Sequence, residues 1–170
     1  MINTTRNHGF TLIEILVVVA LIGALFLGIL AAVDPLEQLK KGGDTAKRNL
    51  TLELYNGFLR TYAVQGSFPW VADISAMVGT NNAMTAAGGY LDVVVSAGEL
   101  KGDFKNLAGS NLGKIYLTST ADAQGNRQNL SSCFLPDSKS MRQDPNAKYS
   151  NIGTVSSGCS VGTPCYWCIK

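Results

Sequence analysis

Charge and histidine are both scarce in this chain. Asp, Glu, Lys and Arg together make up 15% of its 170 residues, and the single histidine is His8. A formal net charge of +2 is too small to mark a polyanion partner, and no dense Lys/Arg run carries interleaved aromatics. Direct nucleic-acid binding therefore has no footing in the sequence. No phosphate-cradling glycine loop, internal repeat, low-complexity segment or flexible interdomain linker is present. Cysteine is absent from the first 132 residues: Cys133, Cys159, Cys165 and Cys168 all fall in the last quarter. Ser131-Ser132 and Ser156-Ser157 read as ordinary loop or strand serines.

The 46% of hydrophobic residues is distributed unevenly. From Phe10 to Val33 run 24 residues whose only clearly polar members are Thr11 and Glu14. As a helix this run is about 36 Å long, enough to cross a hydrocarbon layer of about 30 Å, and it exceeds the apolar stretch of an ordinary secretory signal. A buried core helix is excluded because the remaining chain is too small to surround it. The small residues Gly23, Ala24, Gly28, Ala31 and Ala32 permit close helix approach inside a membrane. Glu14 is the anomaly, since an acid within a bilayer helix costs several kcal/mol unless it finds a partner or sits near the interface. Its place in the first turn also suits an N-terminal capping role favoured by the helix dipole.

Beyond Val33, Asp34-Pro35 is a helix start with Asp34 as N-cap, or a kink in one long helix. Apolar residues recur at helical spacing through Leu36, Leu39, Leu50, Leu54, Phe58 and Tyr62, with Leu52, Tyr55 and Leu59 alongside. Gly42-Gly43 reads as a weak point or bend. Gly66 and Pro69 stop the helix. Residues 89–100 fit either a strand or a short helix, with helix preferred. Lys114–Thr120 and Asn129–Leu135 are strand candidates around the turn-rich Ala121–Asn126. The polar stretch 136–158 holds one short strand near Tyr149, and Cys165–Ile169 forms a final strand. The expected folded head, residues 66–170, is small enough to need staples.

The four cysteines supply them as two disulfides, with three connectivities open. Zinc is disfavoured because only one tight Cys-x-x-Cys knuckle exists, and a thioredoxin-like site because that knuckle lies near the C-terminus. Residues 165 and 168 of one strand point to opposite faces, so they are expected to take different partners, Cys133 with one tail cysteine and Cys159 with another. Asp137, Asp144 and Asn146 lie in a polar loop of a composition that suits calcium, and simple solvation is the preferred reading. No resident metal or cofactor is expected.

The continuous stretch Gly9-Phe10-Thr11-Leu12-Ile13-Glu14-Ile15-Leu16-Val17-Val18-Val19-Ala20-Leu21-Ile22-Gly23 resembles the N-terminal signature of type IV prepilins and type II secretion pseudopilins. The resemblance implies cleavage after Gly9 by a prepilin peptidase, which also methylates the new N-terminus at Phe10. It implies that Glu14 pairs with the terminal amine of a neighbouring subunit. Gly66-Ser67-Phe68-Pro69 is similar to a Gly-x-[Phe/Tyr]-Pro that follows the long helix in many pilin-like chains. His8 stands where family leaders often carry Lys or Arg, and with the leader 1–9 removed the chain keeps no histidine for acid–base or metal chemistry.

The implied fold is α+β and pilin-like. A long N-terminal helix has its membrane and filament-core half at 10–33, and its second, head-packing half at 34–65 lies on a small antiparallel sheet. The implied role is a non-enzymatic subunit of a type IV pilus-like filament. Its partners would be other pilins, major and minor, the peptidase/methyltransferase, the inner-membrane assembly platform and the membrane. It would lie in the bacterial inner membrane with the head outside, then in a cell-surface filament. Alternatives are a pseudopilin of a secretion or DNA-uptake machine, and a single-pass anchored binding domain that never polymerises. Lys40, Lys41, Lys47 and Arg48 after the run, against Arg6 before it, oppose a head-outside topology by the positive-inside count. The cysteine-rich tail and the resemblance outweigh that count.

Overall fold

The structure is a computed structural model. It describes residues 9–32, 34–122, 127, 129–151, 153–156, 158–159 and 165–170. The chain forms two compact units that divide between Leu36 and Glu37. The first is dominated by helix α1, Leu12–Ala32, which is 21 residues long. Its Leu12–Leu30 stretch is the one helix among the described residues long and apolar enough to cross a membrane.

Helix α2 spans Pro35–Gln65 and ends at Gly66, whose φ of 75° only glycine adopts cheaply. Then come β1 (Ile74–Met77), α3 (Asn82–Thr85), α4 (Tyr90–Ser96), α5 (Phe104–Ala108), β2 (Ile115–Thr120), β3 (Asn129–Phe134), α6 (Lys139–Arg142) and β4 (Trp167–Ile169). Two short 3₁₀ turns, Val78–Thr80 and Gly109–Lys114, follow β1 and α5. The strands make one antiparallel sheet in the order β1-β2-β3-β4. The long apolar helix, the second helix and the four-stranded antiparallel sheet give the α+β, pilin-like layout read from the sequence.

Residues 89–100 resolve into the helix α4, because Leu91 and Val94, three apart, both reach the core. The Tyr149 region forms isolated bridges to Val155 and Tyr166 rather than a full strand. Strand β1 had no sequence-level reading: four residues with a single β-branched member give too weak an alternation to detect.

The face that α2 buries departs from the apolar stripe. Its buried members are Asp44, Lys47, Thr51, Leu54, Phe58 and Thr61, at spacings of three and four, together with Gly57. Leu36 and Leu39 remain 67% and 74% exposed. At Gly42-Gly43, expected as a weak point or bend, α2 continues as helix through both glycines. On either side of them, Glu37 and Asp44 bond to the same loop. The two threonines satisfy their hydroxyls locally, Thr51 on the Lys47 carbonyl and Thr61 on the Gly57 carbonyl.

Leu54 and Phe58 of α2 meet Trp70, Phe104, Ile115, Leu117, Phe134 and Trp167 in one core. Gly57 lets the helix come close, since a Cβ there would stand 3.1 Å from Leu100. The Trp70 indole donates to Ser119 Oγ at 3.1 Å, so its polar edge is not left bare.

The structure joins Cys133 to Cys168 and Cys159 to Cys165. Cys133 and Cys168 are register partners across β3 and β4, whereas Cys165 precedes the last strand. The first bridge closes a separation of 35 residues and the second only 6. By loop-closure entropy, losing Cys133–Cys168 should cost about 1.5 kcal/mol more than losing Cys159–Cys165. Denaturant unfolding of the two Cys→Ser double variants checks this, with midpoints ordered wild type, 159/165, then 133/168.

Candidate functional site

The first site lies where the apolar helix begins. Gly9, Phe10 and Thr11 are non-helical and α1 starts at Leu12. The Thr11 backbone N–H donates to Glu14 Oε2 at 2.8 Å, and its hydroxyl donates to the same oxygen at 2.9 Å. In return Glu14 N–H donates to Thr11 Oγ1 at 3.3 Å. This is a capping box, Thr-x-x-Glu, in which N-cap and N3 side chains satisfy each other's orphan amides. The sequence signal for it is Thr11 three residues before Glu14, ahead of the apolar run.

The cap does two things chemically. It fixes the helix start so that the Gly9–Phe10 bond lies outside regular structure, and it turns the carboxylate toward the N-terminal end. Phe10 is 85% exposed, and with Ile13, Glu14, Val17 and Val18 it lines a shallow apolar concavity that includes the acid. The remaining large residues of α1 are also exposed along its length. Ala24 and Gly28, one turn apart, share a face, and nothing lies within 4 Å of a Cβ built at Gly23 or Gly28. Ala31 and Ala32 occupy the last turn of α1, with side chains outside the described residues. Arg6 and His8 of the expected leader also lie outside them.

A second constellation, not anticipated from the sequence, ties α2 to the loop after β3. Lys47 is almost wholly buried, and its Nζ lies 2.7 Å from Asp44 Oδ1 and 2.8 Å from Asp137 Oδ2. It also donates to the Leu135 carbonyl at 3.1 Å. Asp44, completely buried, accepts the Asp137 N–H at 3.0 Å and the Ser138 N–H at 2.7 Å. Burial pushes the Asp44 carboxyl up, but the Asp137 and Ser138 amides and the Lys47 ammonium outweigh it and hold the group below the ordinary carboxylate value. Glu37 accepts the Lys139 N–H at 2.6 Å. The readable signal was an Asp-x-x-Lys pair one turn before Thr51 on the face of Leu54 and Phe58.

The loop acids weighed for calcium go to different partners. Asp137 pairs with Lys47, while Asp144 Oδ1 accepts the Asn146 N–H at 2.8 Å and the Trp167 indole at 3.2 Å. Among the described residues no group of three His, Cys, Asp or Glu is placed to hold a metal ion.

Residues 4–30 match the family described as the prokaryotic N-terminal methylation motif, the type IV pilin and pseudopilin signature. The match covers the residues just before α1 and most of α1, and nothing beyond residue 30. No curated protein and no solved structure matched the chain significantly.

Proposed function

We propose that this chain, which carries the type IV pilin and pseudopilin signature, is a structural subunit of a type IV pilus-like filament. It is trimmed between Gly9 and Phe10 and methylated at Phe10. It then assembles through its apolar helix, with other pilins as partners and the peptidase and inner-membrane platform as handlers. The observation that carries this reading is the capping box at the head of an exposed apolar helix. Cleavage creates an ammonium at Phe10, and Glu14 is already turned toward that end. In an apolar bundle each charge alone costs several kcal/mol. Docking the amine of one subunit on the carboxylate of another removes both penalties at one axial register only.

The bilayer holds α1 before assembly and the filament core holds it afterwards, with Gly23, Ala24 and Gly28 favouring close packing. Head-outside topology gains support from the fate of the basic residues. Lys47 is neutralised inside the head, and the Arg48 guanidinium sits 5.3 Å from the Trp167 ring. Of the four, Lys47 alone is withdrawn from the surface, while Lys40 and Arg48 stay exposed, so the opposing count falls by one.

Immunogold labelling of sheared surface filaments tests the reading. Labelled filaments containing this chain are expected; a chain confined to the membrane fraction of cells that carry filaments would favour a non-polymerising anchor.

A further inference from the structure

The hydrogen bonds and ion pairs that Glu37, Asp44 and Lys47 of α2 make across the head, among the described residues, reach one strap, residues 135–142. Glu37 takes the Lys139 amide, Asp44 takes the Asp137 and Ser138 amides, and Lys47 takes the Leu135 carbonyl and the Asp137 carboxylate. Neither side is self-sufficient. Helix α6 in the strap has four residues, far below the length at which an isolated helix holds. Three of the backbone amides at its start, those of Ser138, Lys139 and Ser140, are bonded to carboxylates of α2, and Ser138 Oγ accepts the Met141 amide. The opening turns of α2, for their part, leave Leu36 and Leu39 exposed and contain two adjacent glycines, the poorest helix formers after proline.

The borders of this pair are firm. Toward the sheet, Cys133 is bridged to Cys168 one residue before Phe134, whose ring is fully buried. Along α2, Thr51 and Leu54 are completely buried.

We infer that residues 37–47 of α2 and the strap 135–142 form one cooperative unit, clasped by Asp44 and Lys47, that opens and closes together while the sheet stays folded. Such a unit lets the helical turns that follow the apolar segment in sequence loosen without unfolding the head. It is a conformational device independent of whether the chain polymerises.

Hydrogen exchange read by mass spectrometry on the full chain in detergent micelles at neutral pH tests it. Asp137→Asn removes the charge of one partner of Lys47 on a side chain that is 59% exposed, so the fold should be retained. It should speed exchange in 37–47 and 135–142 by a common factor, about tenfold, and leave β2 and β3 unchanged. The double variant Gly42→Ala/Gly43→Ala probes from the other side, since a Cβ at either position meets nothing within 4 Å. It should slow exchange in both segments, including the strap it does not touch. Faster exchange in only one segment of the Asp137 variant, or an unaltered strap in the glycine variant, overturns the inference, as does an equal rise in β2 and β3.

Discussion

Replacing Lys47 by methionine is expected to destabilise the head by roughly 3–5 kcal/mol, the usual cost of leaving a buried charge without its partner. Methionine fills a similar volume, so the loss reports charge rather than cavity. Asp44 would keep its two amide donors but face a low-dielectric surround with no cation, and the Leu135 carbonyl would lose its donor. The surface pair Arg60–Glu99 provides the contrast. Its N···O distance is as short, 2.6 Å, but the Arg60 side chain is 51% exposed, so Arg60→Ala should cost under about 1 kcal/mol. Denaturant unfolding of the full chain in micelles separates the two. Equal midpoints for both variants would mean that the buried clasp contributes no more than a surface ion pair.

The same cluster sets a pH dependence. The folded pKa of Asp44 is depressed, so its contribution is fully present above the ordinary value of 3.8 and is lost as pH falls through the folded value. Lys47 and Asp137 touch the group, Glu37 and Lys139 bond to each other nearby, and Lys41 and Arg48 lie one turn either way on α2. Asp44→Asn should flatten that acid limb.

The second large effect concerns Glu14. Glu14→Ala should leave membrane insertion intact and abolish filament assembly, because the methylated amine of each subunit would enter the bundle uncompensated, at several kcal/mol per subunit. Loss of the cap alone is worth only about 1 kcal/mol. Glu14→Gln distinguishes the two contributions, since glutamine serves in a capping box but carries no charge. Filament yield after shearing should fall in both variants alike. Normal filaments from Glu14→Gln would assign the role to the cap instead of the charge.

What could be read from residues alone follows the strength of each local pattern. The run from Phe10 to Val33 is uniform, and α1 follows it within two residues at either end. The strands β2 and β3 were legible because six-residue runs flank a turn-rich segment, and the stop at Gly66 because only glycine takes that backbone angle easily. Helix α2 was legible as a helix but not by its inner face, since a search for apolar periodicity passes over Asp44, Lys47, Thr51 and Thr61. The loop partners of Asp44 and Lys47 lie about ninety residues away, a distance that no local spacing reports. The same blindness placed Lys47 among membrane-flanking charges when it is a core residue. At the N-terminus, Glu14 was legible as an oddity with a capping option, whereas Thr11 was passed over until the reciprocal bonds showed the pair acting together.

The most direct measurement is the intact mass and N-terminal sequence of the protein purified from its own membranes. A chain that begins at N-methylated Phe10, with residues 1–9 missing, is the predicted result. A chain that retains Gly9 and everything before it, with an unmodified Phe10, would contradict the account at its base.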